Sequence, residues 1–155
     1  MRIRMILLGT ALLATTAACG STSGPARTDS HPAAAPAGVG VQIEQSSLGP
    51  ILTDQNGRTL YAFTDDKGGT SSCAGECIAT WPALVSRQPV SAGNGTDKVL
   101  LSQTTRTEGT SQATYGGWPL YYYVGDVGPG DVDGQGVDGV WFVVGADGKL
   151  VRTGS

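Results

Sequence analysis

The chain has 155 residues, with 10 Lys/Arg against 13 Asp/Glu, 24 glycines and a single histidine. No two basic residues are adjacent, so it lacks the concentrated cationic face that neutralises nucleic-acid phosphates, and no nucleic-acid partner is expected. The only histidine, His31, and both methionines, Met1 and Met5, precede the part that reads as folded. That removes the usual haem ligands, common zinc or copper sites and a histidine-based triad, so the sequence points to no cofactor, no metal and no enzyme.

Residues 1–18 read as a signal peptide. Arg2 and Arg4 form a positive start, Met5 to Ala14 an apolar stretch, and small residues lead to Cys19. The apolar run is too short to span a hydrocarbon core of about 30 Å. Thr16-Ala17-Ala18-Cys19 resembles a lipobox, with Thr16 in place of the usual large aliphatic residue. Lipid on Cys19 also resolves the cysteine count, because three cysteines leave one unpaired in any disulfide scheme. Cleavage removes Arg2 and Arg4, leaving eight basic against 13 acidic residues. The expected location is the extracytoplasmic face of the cell membrane, with the membrane as partner through the acyl chains.

Residues 19–40 follow as the lipidated cysteine and an Ala/Pro/Ser/Gly/Thr-rich linker, read as a disordered tether. Residues 41–155 are one domain's worth of chain. Within them the sequence repeats at an offset of 60: Gly57, Leu60, Tyr61, Asp66, Gly68 and Trp81 meet Gly117, Leu120, Tyr121, Asp126, Gly128 and Trp141, and Phe63 meets Tyr123. The pattern predicts two tandem units, about 48–85 and 108–152.

The local signals are mostly β. A hairpin is predicted from residues 49–53 through a turn at Asp54-Gln55-Asn56-Gly57, with positive φ at both Asn56 and Gly57, into residues 59–64. Residues 113–115, Gly116-Gly117 and residues 118–124 repeat the plan. Residues 99–101, 140–144 and 150–151 are further strand candidates, and Ala74 to Thr80, stopped by Pro82, is the one short helix. The expected fold is a mainly β, antiparallel domain built from two repeats, with one short helix after the first domain cysteine.

Each unit carries Tyr-x-aromatic-x-x-Asp: Tyr61, Phe63 and Asp66, then Tyr121, Tyr123 and Asp126. Alternate strand residues share a face, so the two aromatics of each motif point together, while the aspartate caps the Gly-rich loop that follows. Trp81 and Trp141 lie where they can return over those rings. Tyr122 points the other way and reads as the exposed ring. Cys73 and Cys77, in an exported chain, read as a structural disulfide, with a redox-active pair as the alternative. Asp126, Asp131, Asp133 and Asp138 invite a calcium reading, since Asp131 to Gly136 matches the first half of an EF-hand loop, but Phe142 stands where the bidentate Glu belongs and turn formation explains the residues equally. Asp66 and Asp126, at equivalent places, could meet as the carboxylate pair a glycosidase needs, although loop capping explains both.

The stretch from Leu60 to Asp66, Cys73 to Cys77 with Trp81-Pro82, Trp118 to Tyr123 with Gly125-Asp126, and Gly134 to Trp141 together resemble the bacterial lipoproteins built on a secreted repeat of unknown function, described by a Yx(FWY)xxD motif. The resemblance covers most of residues 48–152. It implies a lipid-anchored or secreted envelope protein and supplies no activity. The sequence therefore reads as a non-enzymatic envelope lipoprotein whose duplicated β domain serves binding or structure. The alternative is an accessory to extracytoplasmic redox or electron transfer.

Overall fold

In the computed structural model the described residues are 38–152. The signal peptide, Cys19 and the tether up to residue 37 lie outside them, as do residues 153–155.

The first strand, β1 (Gly40–Ser46), was not among the expected elements. It pairs antiparallel with β2 (Gly49–Asp54) across a two-residue loop, Ser46 opposite Gly49. The Ser46 hydroxyl accepts the Leu48 amide and donates to the Gly49 carbonyl, both at 3.0 Å, and Gly49 takes φ 92° to close the turn.

The predicted hairpin after β2 forms as far as Leu60, with Thr53 opposite Thr59 and Leu60 N donating to Leu52 O at 3.0 Å. Gly57 N donates to Asp54 O at 3.0 Å and Asp54 N to Arg58 O at 2.9 Å, with Gly57 at φ 80°. Asn56 does not take a positive φ. This is a type I turn closed by a glycine bulge rather than the two-residue mirror-image turn the Asn-Gly pair suggests. The Asp54 carboxylate favours it by accepting the amides of Asn56 and Arg58 at 2.8 and 3.0 Å.

Past Leu60 the chain leaves β2, and β3 (Tyr61–Phe63) pairs antiparallel with β8 (Trp141–Val143), the last strand. The segment divides two cores. Leu60 and Ala62 enter one with Leu52, Leu84, Tyr115, Leu120 and Val144. Tyr61 and Phe63 enter the other with Ile51, Cys73, Trp81, Tyr121, Trp141 and Val143. Strands buried on both faces read as continuous apolar runs, and Leu60-Tyr61-Ala62-Phe63 is one.

The short β4 (Ser91–Ala92) lies parallel to β1. β5 (Leu101–Thr105), β6 (Ser111–Tyr115) and β7 (Trp118–Pro119) form an antiparallel sheet. Of the candidate strand 99–101 only Leu101 is in β5, because Leu100 N turns back to Asp97 O. The β6–β7 loop is Gly116-Gly117 as expected, both at positive φ (57° and 84°). A Cβ on Gly116 would come within 2.6 Å of the Gly148 carbonyl oxygen, so this loop admits glycine alone. The single α-helix among the described residues, α1 (Glu76–Thr80), starts two residues later than Ala74, because Gly75 at φ 59° forms the bend before it. The fold is mainly β with antiparallel sheets, as the sequence predicts, apart from the parallel β1–β4 contact.

Candidate functional site

The two copies of the motif meet at the centre of the second core. Tyr61 N donates to Tyr121 O at 2.8 Å and Tyr121 N donates to Tyr61 O at 2.9 Å, a reciprocal pair of bonds about an approximate twofold. The phenol–carboxylate bonds beyond that pair are exchanged between the repeats. The Tyr61 hydroxyl donates to Asp126 Oδ2, and the Tyr121 hydroxyl donates to Asp66 Oδ2, both at 2.8 Å. The rings follow the same exchange: Phe63 stacks on Trp141 and Tyr123 on Trp81, each with centroids 4.4 Å apart. Within each repeat the tyrosine meets its own tryptophan edge-on, at 5.4 Å for Tyr61–Trp81 and 5.2 Å for Tyr121–Trp141. At the axis Trp81 and Trp141 lie face to face, 3.9 Å apart and 2° from parallel.

Neither repeat can complete this arrangement alone. The aromatics are core, as their size in a Gly-rich chain suggests: Tyr61 and Tyr121 are fully buried and the two tryptophans nearly so. Gly134 is what lets the rings close. A Cβ there would sit 2.9 Å from both the Trp81 and Tyr61 rings. Tyr122 departs from expectation. It is half-buried against the first core, its hydroxyl donating to Asp54 Oδ2 at 3.1 Å and the Arg58 guanidinium lying 4.1 Å above its ring.

Asp66 and Asp126 each cap a loop as well as accepting a tyrosine, but the loops are held differently. Asp66 is buried, and its Oδ1 accepts the Ser72 amide and hydroxyl, both at 2.7 Å. Ser71 lies 2.6 Å from the Tyr121 hydroxyl and accepts from Arg106 Nη1 at 2.6 Å. Arg106 is itself buried. It also donates to Gln112 Oε1 at 2.9 Å and to the Cys73 carbonyl at 2.8 Å, and pairs with Glu108. Gln112 in turn donates to Leu120 O at 2.8 Å. The Cys73–Cys77 disulfide, with Cα atoms 5.4 Å apart, closes the same loop.

Around Asp126, Oδ1 accepts the Asp133 amide at 3.0 Å, and the Gly134 amide donates to the Tyr61 hydroxyl at 3.2 Å. Asp131 Oδ2 accepts the amides of Val127 and Gly128 at 2.9 and 2.7 Å. Asp131 thus acts as a turn former. Among the described residues no three His, Cys, Asp or Glu side chains converge as a metal site. Nor do Asp66 and Asp126 bond to each other, since each accepts the other repeat's tyrosine.

Burial sets the protonation states. Desolvation, reinforced by the neighbouring carboxylates, raises the Tyr61 and Tyr122 phenols well above their ordinary range, and pushes Tyr121 up to about 12. Desolvation also raises Asp126. The phenols therefore stay protonated and act as fixed donors at neutral pH.

A model of the family described as a secreted repeat of unknown function matches residues 43–85 and again 102–145. The chain belongs to that family. Both matched stretches end where the exchanged contacts end, the first after Trp81-Pro82 and the second after β8. They begin about five residues before the repeat units read from the offset, which takes in part of β1 and β5. A secreted repeat implies an extracellular location, and among the described residues no helix is long and apolar enough to cross a membrane. Neither a curated protein nor a solved structure matches the chain.

Sequence reasoning identified the motif residues but missed the network that serves them. Ser71, Arg106 and Gln112 carried no signal, since an isolated arginine in a polar stretch does not announce burial. Gly134 offered one: it is flanked by motif-bearing loops, and a glycine between large rings marks a close approach.

Proposed function

We propose that this secreted repeat protein is a lipoprotein anchored by acyl chains on Cys19, whose duplicated domain is a non-enzymatic binding or structural module of the cell envelope. The observation that carries this reading is the exchange itself. The motif carboxylates are taken up by phenols of the opposite repeat and by backbone amides, and the motif rings by one another. A constellation satisfied internally holds a fold together and leaves no acid, base or nucleophile aimed at a substrate. The cysteine count supports the anchor, because pairing Cys73 with Cys77 leaves Cys19 as the remaining thiol.

Two measurements test it. Cys19→Ala should release the protein from the membrane fraction, and mass spectrometry of the wild type should find Cys19 acylated. An unmodified thiol removes the anchor from the account. An Asp126→Asn chain that keeps its fold should keep its cellular role, and loss of that role would return Asp126 to the candidates for chemistry.

A second reading, an accessory to extracytoplasmic redox or electron transfer, draws on a different observation. The disulfide and a run of stacked oxidisable rings share one core.

A further inference from the structure

Phe63, Trp141, Trp81 and Tyr123 stack in that order, with centroid separations of 4.4, 3.9 and 4.4 Å. The two indoles in the middle are 4% and 3% exposed, while Phe63 and Tyr123 at the ends are partly exposed. Aromatic pairs in cores generally prefer offset or edge-on contact. A separation of 3.9 Å between rings 2° from parallel places the faces over one another. That overlap mixes the π systems, so the charge left by removing one electron spreads over both rings.

Indole and phenol are among the side chains most readily stripped of an electron, and here phenols abut the indole pair. Tyr61 meets Trp81 and Tyr121 meets Trp141 edge-on, and each hydroxyl already donates to a carboxylate at 2.8 Å. A phenol that loses an electron becomes a very strong acid, so oxidation proceeds readily only where a base is in place to take the proton. Asp126 and Asp66 are in place.

We propose that the duplicated motif is a one-electron relay, in which the Trp81–Trp141 pair yields an electron to an oxidising radical at the partly exposed end of the stack and Tyr61 or Tyr121 refills the pair as its hydroxyl proton passes to Asp126 or Asp66. The oxidant gains one electron, and the indole pair becomes a radical cation. One electron then moves from tyrosine to the pair, the phenolic O–H bond breaks, and an O–H bond forms on the carboxylate. The indoles are restored, leaving a neutral tyrosyl radical beside a protonated aspartate. This deepens the redox reading and rests on it, using the rings in place of the disulfide.

The test is pulse radiolysis of the full mature chain in detergent, with azide radical as the one-electron oxidant. A Trp118→Phe background leaves the stacked pair as the only indoles. The indole-radical absorbance should decay in a step independent of protein concentration as tyrosyl absorbance grows, and more slowly in deuterium oxide. In Asp66→Asn/Asp126→Asn the step should slow by about tenfold or more, the loss expected on removing a positioned proton acceptor. Decay without tyrosyl growth overturns the relay, as does an unchanged rate in the folded double variant. If that variant does not fold, the deuterium comparison decides alone, and no isotope effect overturns the proposal. None of these failures touches a redox role for Cys73–Cys77, which reversible thiol titration examines separately.

Discussion

The loops after Asp66 and Asp126 start from the same six-residue motif and end in different engineering. Both aspartates receive a phenol from the opposite repeat and cap their own loop. Around Asp66 the loop is short, cross-linked by Cys73–Cys77 and bound to a buried arginine that donates to Ser71, Gln112 and the Cys73 carbonyl. Around Asp126 the loop carries no cross-link and no arginine, and it is organised by Asp131 and by amide donors from Asp133 and Gly134. The contrast separates what duplication preserved from what each copy found for itself. The paired rings and phenol–carboxylate bonds need two-sided complementarity, so neither copy can drift alone. The means of holding the loop is a local matter.

The largest effect should come from the shared part. Trp81→Ala and Trp141→Ala should each cost about 3–5 kcal/mol in denaturant unfolding, the range for truncating a buried aromatic. Near-equal losses would sharpen the symmetry, and a cost for one under half that for the other would break it. Next comes Arg106→Met, which strips donors from four acceptors at once, Ser71, Gln112, the Cys73 carbonyl and Glu108. It should cost about 2–3 kcal/mol, as buried hydrogen-bonding groups are left without partners. Amide exchange should rise at Ser72 while Asp133 stays protected, and equal loosening at both would show that the two loops are not independent. Cys73→Ser/Cys77→Ser should cost about 2 kcal/mol in the chain-entropy account of so short a loop, again on the Asp66 side alone.

The smallest effect lies in alkaline titration. Folded-state phenols raised by burial favour the neutral form. Their contribution is complete below the ordinary tyrosine value of about 10, and it is lost as pH rises through the folded value. For Tyr121 that value is about 12, and Tyr61 lies higher. The thermal midpoint should therefore fall between those limits, and Tyr121→Phe should flatten the early part of the fall. A fall of the same size in the Tyr121→Phe protein would contradict the part assigned to the buried Tyr121 phenol.

Much of this was readable in the residues. The offset of 60 disclosed the duplication because tryptophan, tyrosine and glycine are rare or conformationally constrained, so their coincidence carries weight. Period-two placement put Tyr61 with Phe63 and Tyr121 with Tyr123, and Gly116-Gly117 marked its turn. What could not be read was exchange. Local patterning says that an aspartate caps and a tyrosine is buried, but not that each serves the other half of the chain. The Asn56-Gly57 dipeptide misled because the Asp54 side chain, through its bonds to Asn56 and Arg58, outweighed the dipeptide's own preference. Tyr122 was placed outside because alternation assumes one wet face, whereas this segment has a core on either side. The strand Gly40–Ser46 went unread because its apolar residues are only Val41 and Ile43.

Because Trp141 sits in the final strand, a chain threading outward from its amino end exposes Tyr61 and Trp81 long before their counterparts emerge. The first half must cross as an unsealed intermediate, prone to wrong partners, until some sixty further residues have followed. Premature termination anywhere before β8 should therefore yield not half a working protein but a sticky fragment, to be cleared by proteases.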